Sequence, residues 1–145
     1  MRTGEDSGAV LLDTCAVIWL ANGNALDAAA VAAIIEAGLA EGIFVSPVSA
    51  WEIGRLSRPG RRAQLRFLPD PKTWFERIMA APGIREAPFS GAIAIDASYL
   101  PGAMHGDPGD RLLISTARHL GAPIVTRDRR IIDYAEGGHV GVIRC

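Results

Sequence analysis

The sequence predicts an α/β fold built on a parallel sheet, because short apolar runs alternate along the chain with helical patterns. Each run is continuously apolar, which is typical of strands that are buried on both faces. The runs lie at Ala9–Leu12, Ile43–Val45, Pro123–Val125 and Val140–Ile143. In a doubly wound sheet of this kind, ligands bind beyond the carboxyl ends of the strands. Residues that directly follow these runs are therefore the first candidates for a functional site.

Helical segments between the strands carry their own start and stop signals. An alanine-rich helix is expected from Leu26 to Leu39. A second is expected from Pro71 to Ala81, because Asp70 can cap it and Pro82-Gly83 ends it. A third is expected from Phe89 to Leu100. Helix and strand therefore alternate along the chain, as a doubly wound fold requires.

The composition is that of one domain. With 145 residues, 49% of them hydrophobic, the chain can bury a core without disulfides or a structural metal. We expect a domain over residues 9–145 and a flexible extension over residues 1–8. A formal net charge of -1 provides no overall positive field, so any contact with nucleic acid must be local. The extension lacks the basic and apolar regions of a signal peptide, and no uncharged stretch can span a bilayer, which predicts a cytoplasmic protein.

Asp13 directly follows the first apolar run and precedes another, Thr14–Leu20, which is long enough for a buried helix. It is therefore expected at the carboxyl end of a strand. An aspartate in this position commonly caps the following helix by accepting hydrogen bonds from its exposed amide groups. Taken alone, Asp13 is better explained as a cap than as a catalytic residue. A functional role depends on finding other acids at the same edge of the sheet.

Glu52 lies in a helix that Ser46 and Pro47 begin just after the second strand, which places it near the carboxyl end of that strand. The ordinary alternative is a solvated glutamate on an outer face. Glu52 is, however, next to a stripe that we expect to be buried, formed by Val48, Trp51 and Leu56. Trp19 and Trp74 also lie in apolar periodic contexts and are expected in the core.

Two acids flank the start of a helix that runs to Leu120 and ends at Gly121. Asp107 is expected to cap this helix, Pro108 to take its first position and Asp110 its third. Capping alone can explain both acids. It does not explain why Asp110 would point where Asp13 points, if the strands that precede them are neighbours.

Asp128 follows the strand Pro123–Val125 and again opens a helical pattern, Arg129–Tyr134. Considered alone, it is either a cap or a ligand. Four acids at the ends of elements on one rim of a sheet are better explained by a shared site than by independent caps. The acids of this predicted site are Asp13, Glu52, Asp110 and Asp128.

Carboxylates held within a few ångströms of one another repel unless a cation joins them. A hard divalent ion such as Mg²⁺ prefers carboxylate and water oxygens and binds substrate phosphates, whereas Zn²⁺ favours histidine or cysteine ligands, which this set lacks. A bound metal ion can lower the pKa of its water, orient attack on phosphorus and stabilise the leaving oxygen. The acids therefore predict metal-dependent hydrolysis of a phosphodiester.

These motifs resemble those of the PIN-domain ribonucleases, and within them the VapC toxins of bacterial toxin–antitoxin pairs. The family's four blocks are similar to Leu11–Thr14, Ser49–Ile53, His105–Ile114 and Val125–Asp128. Their order and approximate spacing hold over residues 10–142, almost the whole chain. The residues before Ala9 extend beyond the usual start of the family, and the segment between Pro59 and Pro88 has no diagnostic motif.

The resemblance implies a three-layer α/β/α sandwich with a central parallel sheet of about five strands, for which Ile84–Ala87 would supply the missing strand. It implies that the four acids are catalytic and hold Mg²⁺, for which Mn²⁺ can substitute. Asp107 would be a supporting acid, and Thr14 and Thr126 would supply hydroxyl groups beside the ligands. As a toxin, the protein would cleave RNA to inhibit translation or growth. It would form a homodimer and would be inhibited by a cognate VapB-like antitoxin.

A basic segment after Glu52 is able to supply phosphate contacts near the metal site. Its arginines have no acid between them and include Arg55, Arg58, Arg61 and Arg62. A solvated helix end and loop is an equally good explanation of this segment. The basic segment therefore predicts an RNA contact without excluding a purely structural role.

Other classes of α/β protein lack a required residue. A phosphoaspartyl phosphatase needs a second aspartate two residues after the first, where Cys15 stands. A response-regulator receiver needs a lysine after its last strand, and the sole lysine, Lys72, lies elsewhere. Two alternatives stay open: a PIN-domain RNA-processing nuclease without an antitoxin, and a PIN-like module that binds RNA or a partner without cutting. The complete set of acids argues against the second.

Overall fold

The computed structural model of the protein describes residues 8–60, 64–104 and 106–145. Its strands are β1 (Ala9–Leu12), β2 (Gly42–Val45), β3 (Ile84–Glu86), β4 (Ile124–Thr126) and β5 (Val142–Arg144). Its helices are α1 (Thr14–Ala21), α2 (Ala28–Gly38), α3 (Pro47–Leu56), α4 (Pro71–Met79), α5 (Gly91–Asp96), α6 (Pro108–Leu120) and α7 (Arg129–Ala135). A short 3-10 helix, Ala97–Tyr99, follows α5. Most of the predicted N-terminal extension lies outside the described residues, as do Arg61 and Arg62.

The strands form one parallel sheet in the order β3-β2-β1-β4-β5. The central strand is β1, and its last residue, Leu12, pairs with Val45 of β2 and Val125 of β4. From β1 the chain moves first to one side of the sheet and then to the other, so the strand order reverses there. Ligands of doubly wound sheets bind outside the carboxyl ends of the strands at such a switch point. The fold therefore places its most favourable binding position directly after Leu12.

Helices cover both faces of the sheet. Successive side chains of a strand point to opposite faces, so the apolar strands present side chains for burial on each of them. Leu11 of β1 packs in one cluster with Leu113 of α6, whereas Leu12 packs in another with Val17 of α1 and Ile34 of α2. Burial of one such leucine side chain contributes about 1.5–3 kcal/mol to stability. The predicted three-layer α/β/α sandwich and its parallel sheet of five strands are confirmed. Among the described residues, no helix is both long and apolar enough to cross a membrane.

Most predicted element boundaries differ from the structure by one or two residues. The helix predicted from Phe89 to Leu100 is shorter and changes type. Ser90 caps α5, because its hydroxyl accepts a hydrogen bond of 3.2 Å from the amide of Ile93. The helix therefore begins at Gly91 rather than at Phe89. The last turn of the predicted helix, Ala97–Tyr99, is a 3-10 helix, which is more tightly coiled than an α-helix.

The prediction of a buried Trp51 is wrong, since its exposed fraction is 55%. The buried face of α3 is centred instead on Ser49 and Ile53, whose exposed fractions are 0% and 1%. Ser49 is small and polar, so a pattern of hydrophobic residues does not count it. Trp51 lies two residues from each of these positions and consequently faces outward. Trp74 is half-buried and packs edge-on against Phe67, with ring centroids 4.8 Å apart.

Candidate active site

Asp13 occupies the switch point between β1 and α1. Its exposed fraction is 6%, and its Oδ1 caps α1 by accepting a hydrogen bond of 2.7 Å from the amide of Ala16. Its Oδ2 accepts a hydrogen bond from the hydroxyl of Thr126, the last residue of β4. Asp13 therefore caps α1, as predicted from the sequence. It is also a buried carboxyl group held in one orientation by hydrogen bonds from α1 and from β4.

Glu52 projects from α3 toward the same rim. Its Oε1 accepts a hydrogen bond from the hydroxyl of Thr14, and that hydroxyl also lies 3.0 Å from the hydroxyl of Ser49. Its Oε2 lies beside Gly109 in α6, where a Cβ atom would come within 2.7 Å of it. A Cβ atom at position 109 would require this carboxylate, the end of a flexible side chain, to shift. The contact with α6 was not predicted, because it depends on how two helices pack rather than on a local pattern.

Asp107 and Asp110 lie at the beginning of α6. Asp107 caps the helix by accepting a hydrogen bond of 3.0 Å from the amide of Asp110, as predicted. Asp110 occupies the third helical position, and its side chain is 14% exposed. The helix ends at Gly121, whose φ of 65° is in the left-handed region that glycine favours. These signals fix the direction in which Asp110 enters the rim.

Asp128 caps α7 and follows β4. Its Oδ1 accepts a hydrogen bond of 2.8 Å from the amide of Arg130. Its own amide donates a hydrogen bond of 2.9 Å to the hydroxyl of Thr126, which at the same time donates to Asp13. Thr126 therefore links the carboxyl group of Asp13 to the backbone amide of Asp128. The structure places both predicted threonines, Thr14 and Thr126, in contact with predicted acids.

Arg130 joins the remaining acids. Its Nη2 lies 3.9 Å from Oδ2 of Asp107 and 3.6 Å from Oδ2 of Asp110. Its Nε lies 3.6 Å from Oδ1 of Asp128. One guanidinium group is thus within ion-pair distance of three carboxylates from two helices. Sequence analysis did not single out Arg130, because a long flexible side chain shows no characteristic spacing relative to acids elsewhere in the chain.

The pKa values of the acids at the rim are raised mainly because these carboxyl groups are buried. Burial, followed by the neighbouring charges of Asp107 and Asp128, raises the pKa of Asp110 to about 7, although Arg130 opposes this rise. Burial also raises the pKa of Asp13 to about 6, and it does so despite the hydrogen bonds that Asp13 accepts. The pKa of Glu52 is raised by burial as well. Each of these carboxylates would be stabilised by a cation.

The donor set fits a hard divalent cation by its chemistry, since it consists of carboxylates on one rim with hydroxyl groups beside them. The present side-chain positions are not those of a closed metal cage. In the described parts of the chain, no three histidine, cysteine or acidic side chains are close enough together to hold one ion. Arg130 lies among three of the acids instead. Binding of a metal ion to this set would therefore require rotation of side chains.

The acids lie at the edge of the sheet formed by the carboxyl ends of its strands. A cavity of about 830 Å³ lies at the opposite edge, lined by residues that precede or begin the strands, such as Ala9, Pro123 and Gly141. That cavity is far along the strands from the carboxylates and contains none of them. The rim, rather than this cavity, has the charged groups that phosphodiester chemistry requires.

The fold and the carboxylate rim together define a class of protein. The family model of the PIN domain matches residues 10–137, and the chain accordingly belongs to the PIN-domain family, in its VapC branch. Ribonuclease VapC22 from Mycobacterium tuberculosis is 32% identical over 123 residues, which cover 84% of this chain and 88% of that protein.

Two solved structures share the fold. The structure of VapBC2 from Rickettsia felis, bound to a DNA fragment from its promoter, matches with a TM-score of 0.61 and 15% identity. The match covers 94% of this chain and 98% of that chain. FitAcB from Neisseria gonorrhoeae matches with a TM-score of 0.52 and 17% identity, over 92% of this chain and 96% of that chain. The predicted resemblance to the PIN-domain family is confirmed.

Proposed function

We propose that this protein is a metal-dependent endoribonuclease that acts as the toxin of a type II toxin–antitoxin pair. The observation that carries the proposal is the convergence of carboxyl groups from four parts of the chain on the switch point of the sheet. They are Asp13, Glu52, Asp110 and Asp128. The relative VapC22, which is named a ribonuclease, supports RNA as the substrate. An RNA substrate in turn supports action in the cytoplasm.

The four acids would hold Mg²⁺, for which Mn²⁺ can substitute. When bound, such an ion supplies an activated water molecule and stabilises the charge that develops on phosphate. Thr126 and the amide of Ala16 orient Asp13 through two hydrogen bonds. Thr14 orients Glu52, and Asp107 holds the start of α6 so that Asp110 faces the rim. The threonines and Asp107 are therefore positioning residues in this proposal.

The proposal is tested by combining an RNA cleavage assay with a thermal stability measurement. Purified protein is expected to cleave RNA with Mg²⁺ or Mn²⁺ and to lose this activity when the metal is chelated. At about 100 times its Kd, the ion should stabilise the fold by about 2.7 kcal/mol, since only the native state assembles the carboxylates. For a chain of this length the shift in Tm is about 5–10 °C.

Asp13→Asn is expected to reduce this shift in Tm, whereas Asp133→Asn should keep it. Asp133 is a matched control because it lies on the exposed side of α7, where its carboxylate faces Arg129 at 3.9 Å. Equal stabilisation of the wild type and Asp13→Asn by millimolar Mg²⁺ would show that the ion binds elsewhere. Cleavage that persists after chelation would contradict the metal-dependent mechanism.

RNA is proposed to approach along α3, next to Glu52. Trp51 and Arg55 are both exposed there, and the guanidinium carbon of Arg55 lies 5.0 Å from the centroid of the Trp51 ring. An exposed aromatic ring can stack on a base, while arginine contacts a neighbouring phosphate. Arg58 is exposed at the end of the same helix and extends this surface. The sequence also suggested Arg61 and Arg62 as RNA contacts. They lie outside the described residues, so the proposal includes them only because they are close to Arg58 in the sequence.

Replacement of Trp51 by alanine is expected to weaken RNA binding about 5- to 150-fold, the usual effect of losing one stacked base. Trp51→Phe should retain part of the affinity, and Arg55→Gln should reduce the salt dependence of binding. Arg77→Gln, an exposed change on α4, is the matched control. The measurement is fluorescence anisotropy of a labelled single-stranded RNA in chelated buffer. Unchanged affinity of both Trp51→Ala and Arg55→Gln would direct the RNA to another face.

A ribonuclease of this kind needs an inhibitor, and we propose a cognate VapB-like antitoxin as the partner of a homodimeric toxin. The solved VapBC2 complex of the same fold supports this choice. An arginine from the partner could pair with carboxylates such as Glu52 and Asp110 and exclude Mg²⁺ by supplying positive charge. Co-expression with the product of the adjacent reading frame should yield a stable complex whose inhibition is competitive with Mg²⁺. Full inhibition at every Mg²⁺ concentration would instead indicate blockage of the RNA path.

A further inference from the structure

Arg130 is a basic residue whose side chain lies among the acids of the rim. Its guanidinium group lies within ion-pair distance of Asp107, Asp110 and Asp128. We infer that Arg130 is a built-in exchangeable cation, which competes with the metal ion for these carboxylates and contacts an RNA phosphate once the metal displaces it. The inference rests on the proposed function for its RNA part. Its metal part depends only on the acids binding a divalent ion.

The contacts of Arg130 have the character of an exchangeable ion pair. Its three distances to carboxylate oxygens are 3.6–3.9 Å, whereas a charge-assisted hydrogen bond measures about 2.7–2.9 Å. The side chain is 57% exposed, so water already solvates much of it. Arg111 in α6 provides the contrast, because its guanidinium donates at 2.8 Å and 3.1 Å to the carbonyls of Ala97 and Met104. Arg111 is thus hydrogen-bonded to backbone carbonyls, whereas the Arg130 guanidinium lies at the longer distances of an ion pair.

The backbone of Arg130 keeps the side chain near the rim after displacement. Its amide donates a hydrogen bond of 2.8 Å to Asp128, in the cap of α7. The guanidinium group can therefore rotate away from the carboxylates while its Cα stays beside them. A planar guanidinium matches the oxygens of a phosphate group with paired donors. A displaced Arg130 would thus lie next to the position at which the proposed metal site receives the scissile phosphate.

Charge decides which cation the rim prefers. Arg130 offers a single charge that is shared among three carboxylates, whereas a divalent ion offers two charges at closer range. A metal ion should therefore displace the arginine. Its apparent affinity should be lower than it would be if the arginine were absent. Removing the arginine would lift this competition. The same removal would take one positive charge away from bound RNA, so the two effects should have opposite signs.

The first test measures Mn²⁺ binding to RNA-free protein by isothermal titration calorimetry. Arg130→Gln is expected to bind Mn²⁺ about two- to fivefold more tightly than the wild type, because partly exposed ion pairs contribute on this scale. Arg130→Lys keeps a cation and should lie close to the wild type. The matched control is Arg129→Gln, because Arg129 is the neighbouring residue in the sequence. Within the part of the chain that the structure describes, the ion pair of Arg129 is with Asp133, at 3.9 Å, and not with the rim. Equal or weaker Mn²⁺ binding by Arg130→Gln would overturn the competition.

The second test measures RNA cleavage at saturating Mn²⁺ over a range of salt concentrations. Arg130→Gln should raise KM for RNA about three- to thirtyfold and reduce the slope of log(kcat/KM) against log salt by about 0.7, the loss of one phosphate contact on a single strand. An unchanged KM and slope would remove Arg130 from RNA binding. If the wild type does not cleave RNA while Arg130→Gln binds Mn²⁺ more tightly, the proposed function fails and the competition stands. Unaltered circular dichroism of both variants confirms that they fold.

Discussion

Replacement of Asp110 by asparagine is expected to lower metal-dependent RNA cleavage by about 10³-fold or more. Asparagine has nearly the same shape as aspartate, but it lacks the charge that a hard divalent ion requires of a ligand. Loss of metal-ion catalysis removes several kcal/mol of transition-state stabilisation. The measurement is the initial rate of cleavage of a labelled RNA at saturating Mg²⁺, by enzyme that has been purified free of contaminating nuclease.

The same substitution should leave a cooperatively folded protein, which separates a functional loss from a structural one. Burial and the charges of Asp107 and Asp128 raise the pKa of Asp110 to about 7, so its ionised form destabilises the metal-free fold. Asp110→Asn removes that charge and is expected to unfold at or above the wild-type Tm at pH 8. Wild-type-like cleavage by Asp110→Asn would remove this residue from the mechanism. Asp133→Asn, which alters a carboxylate outside the rim, should retain full activity.

Asp13→Asn is expected to abolish cleavage as well, but with a less simple effect on stability. Both carboxylate oxygens of Asp13 accept hydrogen bonds, one from the amide of Ala16 and one from the hydroxyl of Thr126. An asparagine has one acceptor oxygen and therefore keeps only one of these bonds as it stands. The lost bond offsets the gain from removing a buried charge. Asp110→Asn is therefore the cleaner test of the two.

The parts of the fold that depend on local signals could be predicted from the sequence. Helix α6 has a capping aspartate, proline at its first position and a glycine after its last residue, and it runs from Pro108 to Leu120 as predicted. The continuous apolar runs identified four strands, and the carboxyl ends of those strands indicated where the acids would lie. These features depend on interactions between residues that are close in sequence, or on the geometry that every parallel sheet shares.

The parts that depend on packing between elements could not be predicted in the same way. The outward position of Trp51 follows from the burial of Ser49, a polar residue whose hydroxyl lies 3.0 Å from that of Thr14. The close contact between Gly109 and Glu52 follows from the approach of the Glu52 side chain from another helix. The position of Arg130 depends on the rotamer of a long side chain. The sequence indicated the acids of the rim, but not the arginine that lies among them.

The stability of the metal-free protein is expected to fall as pH rises from about 4 to 7. The folded-state pKa values of Asp13 and Asp110 are about 6 and about 7, above the ordinary value of 3.8. Between these values the folded state binds more protons than the unfolded state, so stability decreases with pH. The penalty is absent below the unfolded pKa and complete above the folded pKa. For Asp13 it amounts to about 1–3 kcal/mol, since one pKa unit corresponds to about 1.4 kcal/mol.

Saturating Mg²⁺ should reverse this trend over the same range of pH. The ion binds the ionised carboxylates, so it must displace a proton from each group that is protonated. By pH 5 both Asp13 and Asp110 are mostly protonated, and below pH 6 metal affinity is expected to fall by up to about 100-fold per pH unit. The stabilisation by Mg²⁺ should therefore be near zero at pH 5 and largest above pH 7. Cleavage should show the same dependence, because an empty rim cannot supply the activated water.

The measurement is Tm from pH 5 to 8, with and without Mg²⁺, in buffers matched for ionic strength. We expect the two curves to coincide at pH 5 and to diverge as pH rises, since the metal-free curve falls while the Mg²⁺ curve does not. Asp110→Asn should flatten both curves, because it removes the group with the higher pKa and one ligand together. Parallel curves for the wild type would mean that the ion does not bind where Asp13 and Asp110 titrate. The rim acids would then have only structural roles, such as the helix caps formed by Asp13, Asp107 and Asp128, and any metal site would have to lie elsewhere.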